Sequence, residues 1–356
     1  MSDNPVHTSP QQTRQARQAR MDPEGTKPRH RGPPEPQVDV RRIDDAIFNT
    51  GVDDLVREAE QTRLSLMQTR QRRGFIVLTV SILILLAAGA GFGWYFLVVG
   101  DLIMAIACVG LAVLPPFILS AWRNHPIKSY LRYHKKVFMP KMAKLMGGFH
   151  YQADGGIDSK MFAKTGILPA YTSYQSEDCF IGRYKGIKVI MSEAWLSRGS
   201  PIFQGIFVLL ELPGAPVAAR TIITADGKAA QENAATRWKS LQKVMIATEN
   251  PSWNRFSIFA ENTAHTQAVV TPALLKELAE AADMFGNSAL SVSMFGKKYV
   301  FMMIPYRGDM FEPSALHVAV PTREHVIERR REIEKLMEVI DVFDAYRETL
   351  PPPARA

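Results

Sequence analysis

Two long apolar runs interrupt a chain of otherwise mixed character. Phe75–Val98 is 24 residues without a charge, FIVLTVSILILLAAGAGFGWYFLV, and Leu102–Ala121 adds 20 more, LIMAIACVGLAVLPPFILSA. As a helix the first run is roughly 36 Å long, enough to cross a hydrocarbon core of about 30 Å with some tilt. Only Val99, Gly100 and Asp101 separate the two, which predicts a tight transmembrane helical hairpin. Trp94 and Tyr95 fall near its turn and Trp122 at its far end, where amphipathic rings prefer the interface. Pro115 and Pro116 kink the second span, and Gly89 and Gly93 form a small-xxx-small pair for close helix packing.

Outside these runs the hydrophobic period becomes that of a folded domain. Val52, Leu55, Ala59 and Leu66 recur at helical spacing, and Thr50 with Asp53 supplies a capping-box-like start, so a cytosolic helix is expected ahead of the first span. From residue 154 short strands alternate with helices. Cys179–Tyr184 and Ile187–Glu193 flank Lys185-Gly186 as a hairpin, followed by a long buried strand at Ile202–Leu212 and another at Val217–Thr224. A helix is predicted over Ala229–Ala247, then strands over Asn254–Glu261 and Thr266–Val270. Thr271-Pro272 opens a helix to Met284, with proline at its first position. Leu290–Met294 and Tyr299–Pro305 form a second hairpin around Phe295-Gly296-Lys297, and Glu324–Arg347 is a charged terminal helix. Strands in adjacent hairpins with helices between them indicate an α+β fold: a transmembrane hairpin followed by a cytosolic antiparallel-sheet domain with packing helices. The segments are a disordered, proline-rich tail (1–41), a cytosolic helix (42–73), the two-span hairpin (74–122), a basic juxtamembrane segment (123–153) and the cytosolic domain (154–350).

Charge sharpens this picture. The net charge is +8, from 43 Lys and Arg against 35 Asp and Glu. Beyond residue 153 the two signs cancel, and the excess is concentrated in 123–153: Arg123, Lys128, Arg132, Lys135, Lys136, Lys141 and Lys144, with no acid among them. With Arg70, Arg72 and Arg73 before the first span, the positive-inside bias puts both termini and the main domain on the cytoplasmic side as an expectation. The seven cations are expected to lie against anionic headgroups. Tyr130, Tyr133, Val137, Phe138 and Met142 between them suggest an amphipathic helix along the membrane rather than a nucleic-acid surface.

Candidate chemistry is sparse. Two cysteines, Cys108 and Cys179, make no disulfide framework, and no phosphate loop, zinc-ligand spacing or nucleophile motif is present. No cofactor or metal is expected. The acidic pairs outside helices are Glu177-Asp178, just before a strand, and Asp309 with Glu312 around Phe311. They could serve acid–base chemistry if burial separated their pKa values, and Phe311 would anchor its loop in the core.

The segments SEDCFIGRYKGIKVIMSEAWL…IFQGIFVLLEL, ENPSWNRFSIFAEN…VVTPALLKELAEA and KKYVFMMIP…DMFEP resemble a family of uncharacterised bacterial membrane proteins, the domain of unknown function three-one-three-seven. The resemblance runs from about residue 50 to 320. Its markers are Glu177, Asp178 and Gly182, Ser192-Glu193, Phe203, Gly205 and Phe207, Asn250-Pro251 with Phe256, Thr271-Pro272, and Phe311-Glu312-Pro313. It implies a two-span hairpin ahead of an α+β domain and no reaction. Together these readings favour a non-catalytic domain that binds a protein partner or a lipid-proximal ligand, as scaffold or sensor, with homo-oligomerisation through the hairpin open. Glu177, Asp178, Asp309, Phe311 and Glu312 are the candidate interaction residues. The alternative is a membrane-tethered hydrolase using the loop carboxylates.

Overall fold

The structure, a computed structural model, describes residues 38–100, 102–214, 216–225, 227–247, 251–286, 289–306, 311, 315–318 and 323–348. Most of the expected N-terminal tail and the acidic residues Asp309 and Glu312 lie outside them.

Helix α1 (Asp45–Val99) is one uninterrupted 55-residue helix, roughly 80 Å long. Its cap is Asp44, whose carboxylate accepts from the amides of Ala46 and Ile47. The start expected at Thr50 is therefore too late: the Thr50 hydroxyl bonds back to the Ala46 carbonyl inside the helix. One continuous rod thus joins the expected cytosolic helix to the first apolar run. Phe48, Val52, Leu55 and Ala59 are buried in the domain core, whereas Phe75, Leu86 and Leu97 are bare, Leu97 at 85% exposure. Among the described residues α1 is the one helix long and apolar enough to cross a membrane. The second apolar run forms the first part of α2 (Leu102–Tyr133), which continues through a π turn (His134–Phe138) into α3 (Met139–Leu145).

The domain is mixed α+β, built on a ten-stranded sheet. Its strands are β1 (Asp39–Val40), β2 (His150–Gln152), β3 (Ser173–Tyr184), β4 (Ile187–Arg198), β5 (Ser200–Glu211), β6 (Thr221–Ala225), β7 (Gln242–Val244), β8 (Phe256–Ala260), β9 (Ser291–Phe295) and β10 (Tyr299–Pro305). They run β1-β3-β4-β5-β10-β9-β6-β8-β7, with β2 also paired to β3. All pairings are antiparallel except β1 with β3. Both predicted hairpins form. Lys185 with Gly186 and Gly296 with Lys297 sit at positive φ in their turns, the geometry that matches strand twist.

Alternation along the strands divides the core in two. Ile206, Val208 and Leu210 of β5 and Val300, Met302 and Ile304 of β10 face the helical layer. That layer comprises the start of α1, α3, α7 (Pro272–Met284) and α8 (Arg323–Glu348). Phe207, Leu209 and Phe301 face the other way, under Ile157, Leu168, Trp238 and Phe162 from the short α4 (Phe162–Thr165). The two central strands are therefore covered on both faces, which is why Ile202–Leu212 reads as a continuous apolar run.

Three sequence expectations are corrected here. The helix over Ala229–Ala247 ends early, as α5 (Lys228–Thr236), because Trp238 turns into the core and its indole donates to the Gly166 carbonyl. Val244 then pairs with Ile258 as part of β7. The strand at Thr266–Val270 is instead α6 (Thr263–Val269), nucleated by Asn262, whose side chain accepts from the His265 amide. Finally, the end of the expected tail is ordered: Asp39–Val40 forms β1, and buried Val40 packs over Gly182.

Candidate functional site

The acidic pair sits at a bulge. The β3–β4 register shifts between Glu177 and Phe180, and Asp178 adopts a φ of 54°, a left-handed conformation that a short polar side chain tolerates. Its amide donates to the Ala153 carbonyl at 3.0 Å. The kink turns the Asp178 carboxylate inward, to 3% exposure, where it accepts a short hydrogen bond from the Tyr151 hydroxyl on β2. Lys135, from the π turn, pairs with Glu177 and lies 3.8 Å from Asp178. Burial works against the Lys135 ammonium, but the Asp178 and Glu177 carboxylates outweigh it and its pKa rises. Burial, then the neighbouring Asp178 charge, pushes the Tyr151 phenol well above its ordinary range.

A second buried carboxylate stands opposite. Glu193 of β4 pairs directly with Glu177, so both side chains share the helical face of the sheet. Glu193 Oε1 accepts from the Phe311 amide at 3.2 Å, and the Phe311 carbonyl accepts from His134 Nε2 at 2.8 Å. A carbonyl can only accept, so Nε2 carries the proton of the neutral ring. His134 stacks on Phe138 at 4.9 Å, and burial lowers its pKa to about 4. The Phe311 ring is buried against Phe180, with centroids 4.7 Å apart.

The structure therefore brings Glu177, Asp178 and Phe311 into one neighbourhood, beneath the end of α2. It adds Tyr151, His134, Lys135 and Glu193, three of which sequence reasoning had not placed in a site. Only Glu193 left a trace in the sequence, as a charge inside the apolar run VIMSEAWL. The groups neutralise and hydrogen-bond one another, and neither described cavity is lined by Glu177 or Asp178. Chemically the arrangement is a polar clamp that fastens the π turn and Phe311 to the sheet.

The basic juxtamembrane segment divides by role. Arg123, Lys128, Arg132, Lys136 and Lys144 are exposed, whereas Lys135 belongs to the clamp and Lys141 pairs with Glu58 of α1. The apolar residues between them do not form an outward-facing stripe. Tyr130, Phe138 and Met142 are buried within the protein, so the amphipathic helix expected to lie along the membrane packs its apolar face on the domain instead.

Among the described residues one acidic group has oxygens close enough to hold a cation, Glu277 and Glu280 of α7 with Glu338 of α8. The Lys335 ammonium already occupies its centre, 2.8 Å from Glu277 and 2.7 Å from Glu338. This cluster around the buried Lys335 pins α7 to α8, and a metal would have to displace the ammonium.

No curated protein and no solved structure matches the chain. The matched family segment runs from β5 to near the end of α8, later than the resemblance drawn from the motifs, and it contains Phe311 but not Lys135, Glu177, Asp178 or Glu193. Residues 201–345 match the family described as Protein of unknown function (DUF3137), the family to which the strand and turn motifs pointed.

Proposed function

We propose that the protein is an integral membrane protein of bacterial inner-membrane type, with two spans and both termini in the cytoplasm. Its α+β domain is a non-catalytic scaffold or sensor that binds a protein partner or a lipid-proximal ligand. The observation that carries this reading is the division of α1: its first turns are core residues of the domain, and the same helix continues into a bare apolar rod. Bare leucines and phenylalanines over some 24 residues are costly in water and favourable in a hydrocarbon core. The second apolar run, within α2, supplies the return span, and the exposed cations behind it favour the cytoplasmic side. A domain rigidly continuous with its span is suited to relaying a binding event between membrane and cytoplasm.

Reporter fusions at residue 101 and at the C-terminus test the topology; a C-terminus outside the cytoplasm overturns it. The non-catalytic part is tested by replacing Glu177, Asp178, Asp309 and Glu312 together. Loss of a turnover activity with the fold intact would establish the hydrolase alternative in its place.

A further inference from the structure

A cavity of about 410 Å³ lies where α1 and α2 leave the domain. Arg70 and Gln71 of α1, Arg123 of α2 and His317 of the 315–318 segment converge on it, and among the described residues no carboxylate lines it. Leu78 closes the side that belongs to the apolar run. Two other cations of this region are matched by acids, Arg63 by Glu60 and Lys141 by Glu58. Among the described residues neither Arg70 nor Arg123 has an acidic partner. Arg70 Nε is also closed off from solvent with no hydrogen-bond partner, a cost that a ligand oxygen would relieve.

The walls are braced. Arg63 donates to the carbonyl of buried Leu316 at 2.9 Å, fixing the segment that carries His317. The Arg73 guanidinium lies 4.7 Å over the Trp122 ring and donates to the Trp122 carbonyl at 3.1 Å, tying α1 to α2 beside the cavity.

Two unpaired guanidinium groups, an imidazole and an amide without an acid form a receptor for a phosphate oxyanion. The position of Leu78 calls for a ligand whose apolar part points along the spans. We infer that this cavity binds the phosphodiester headgroup of an anionic phospholipid, with Arg70 and Arg123 gripping the phosphate oxygens. The inference rests on the membrane reading above and names the lipid-proximal ligand. Free phosphate shares the headgroup's charge but has nothing to place against Leu78.

The test uses the full chain, delipidated in neutral detergent, titrated with short-chain phosphatidylglycerol, short-chain phosphatidylcholine and inorganic phosphate. Phosphatidylglycerol should bind about tenfold or more tightly than either of the others, and Arg70→Gln and Arg123→Gln should each remove about that advantage. Lys144→Gln, an exposed cation outside the cavity, should leave binding unchanged. Should either glutamine variant unfold, Arg70→Lys and Arg123→Lys keep the charge but lose the fork and should still weaken binding. Wild-type affinity in the Arg70 and Arg123 variants, an equal loss in Lys144→Gln, or displacement by equimolar inorganic phosphate would each overturn the proposal. An alkaline wash of membranes from the same cells separates the two failures. A chain released by the wash refutes the membrane reading itself, whereas a retained chain with unaltered variant binding refutes only this site.

Discussion

His134 Nε2 lies 2.8 Å from the backbone carbonyl of Phe311, 177 residues away in sequence, and this bond ties Phe311 to the π turn. The ring is buried and its pKa falls from an ordinary 6.5 to about 4. Between those values the unfolded chain binds the proton and the folded one does not. The stabilisation is therefore complete above about pH 6.5 and declines as the pH falls toward 4, by an amount on the order of 3 kcal/mol. Thermal unfolding of the full chain in detergent should show this fall. His134→Phe should be less stable at pH 7.5 by about 1–2 kcal/mol, since the Phe311 carbonyl loses its donor, yet should show a flatter pH dependence between 6.5 and 4. An unchanged slope in the variant would mean that another group carries the transition.

Lys135 is the cation that makes the buried Asp178 tolerable. Lys135→Met keeps most of the apolar stem but removes the charge facing two carboxylates. The expected loss is roughly 2 kcal/mol, at the low end for breaking a buried pair because Lys135 and Glu177 are partly exposed. Adding Asp178→Asn to Lys135→Met should recover part of it, since the amide still accepts from Tyr151. The measurement is a double-mutant cycle by chemical unfolding; strict additivity would show that the two groups do not interact.

Gly205 explains one of the family-like motifs in steric terms. A Cβ there would collide with the Ile304 carbonyl oxygen on the neighbouring β10 and stand 2.8 Å from the amide of Tyr306, just past that strand. Backbone cannot yield as a side-chain tip can, so Gly205→Ala should destabilise by about 3 kcal/mol or more and lower the melting temperature of the full chain in detergent. Gly91→Ala, with nothing within 4 Å of its Cβ, is the control and should be near neutral or slightly stabilising. Equal melting temperatures for the two variants would contradict the close approach.

These residues also show what the sequence could and could not reveal. Turn chemistry at Lys185-Gly186 and the cap at Thr271-Pro272 act through bonds a few residues long, so the hairpin and α7 were legible. The segment after Thr236 was not, because its apolar spacing fits a helix until Trp238 finds the Gly166 carbonyl, 72 residues distant. The clamp was half legible. Glu177 and Asp178 stood out as an acidic pair, but only the bulge and the π turn deliver Lys135 and His134 to them. Tyr130, Phe138 and Met142 showed the complementary problem: an apolar stripe between cations reads the same whether its partner is a membrane or the protein's own core.

Leu86, in the middle of the first apolar run, separates a membrane span from a solvent-exposed rod. It is 65% exposed. In water Leu86→Arg would remove exposed apolar surface and leave stability unchanged or improved. In a bilayer the same change places a guanidinium near the centre of the hydrocarbon, at about 2.5–3.5 kcal/mol on insertion scales. The expected outcome is a reduced fraction of chain retained in alkali-washed membranes, with the folded domain intact by protease resistance. Leu64→Arg serves as the companion: Leu64 is exposed on the same helix but below the run, and its replacement should leave membrane retention unchanged. Full retention of Leu86→Arg together with Leu64→Arg would leave the long helix without the solvent that its sequence demands.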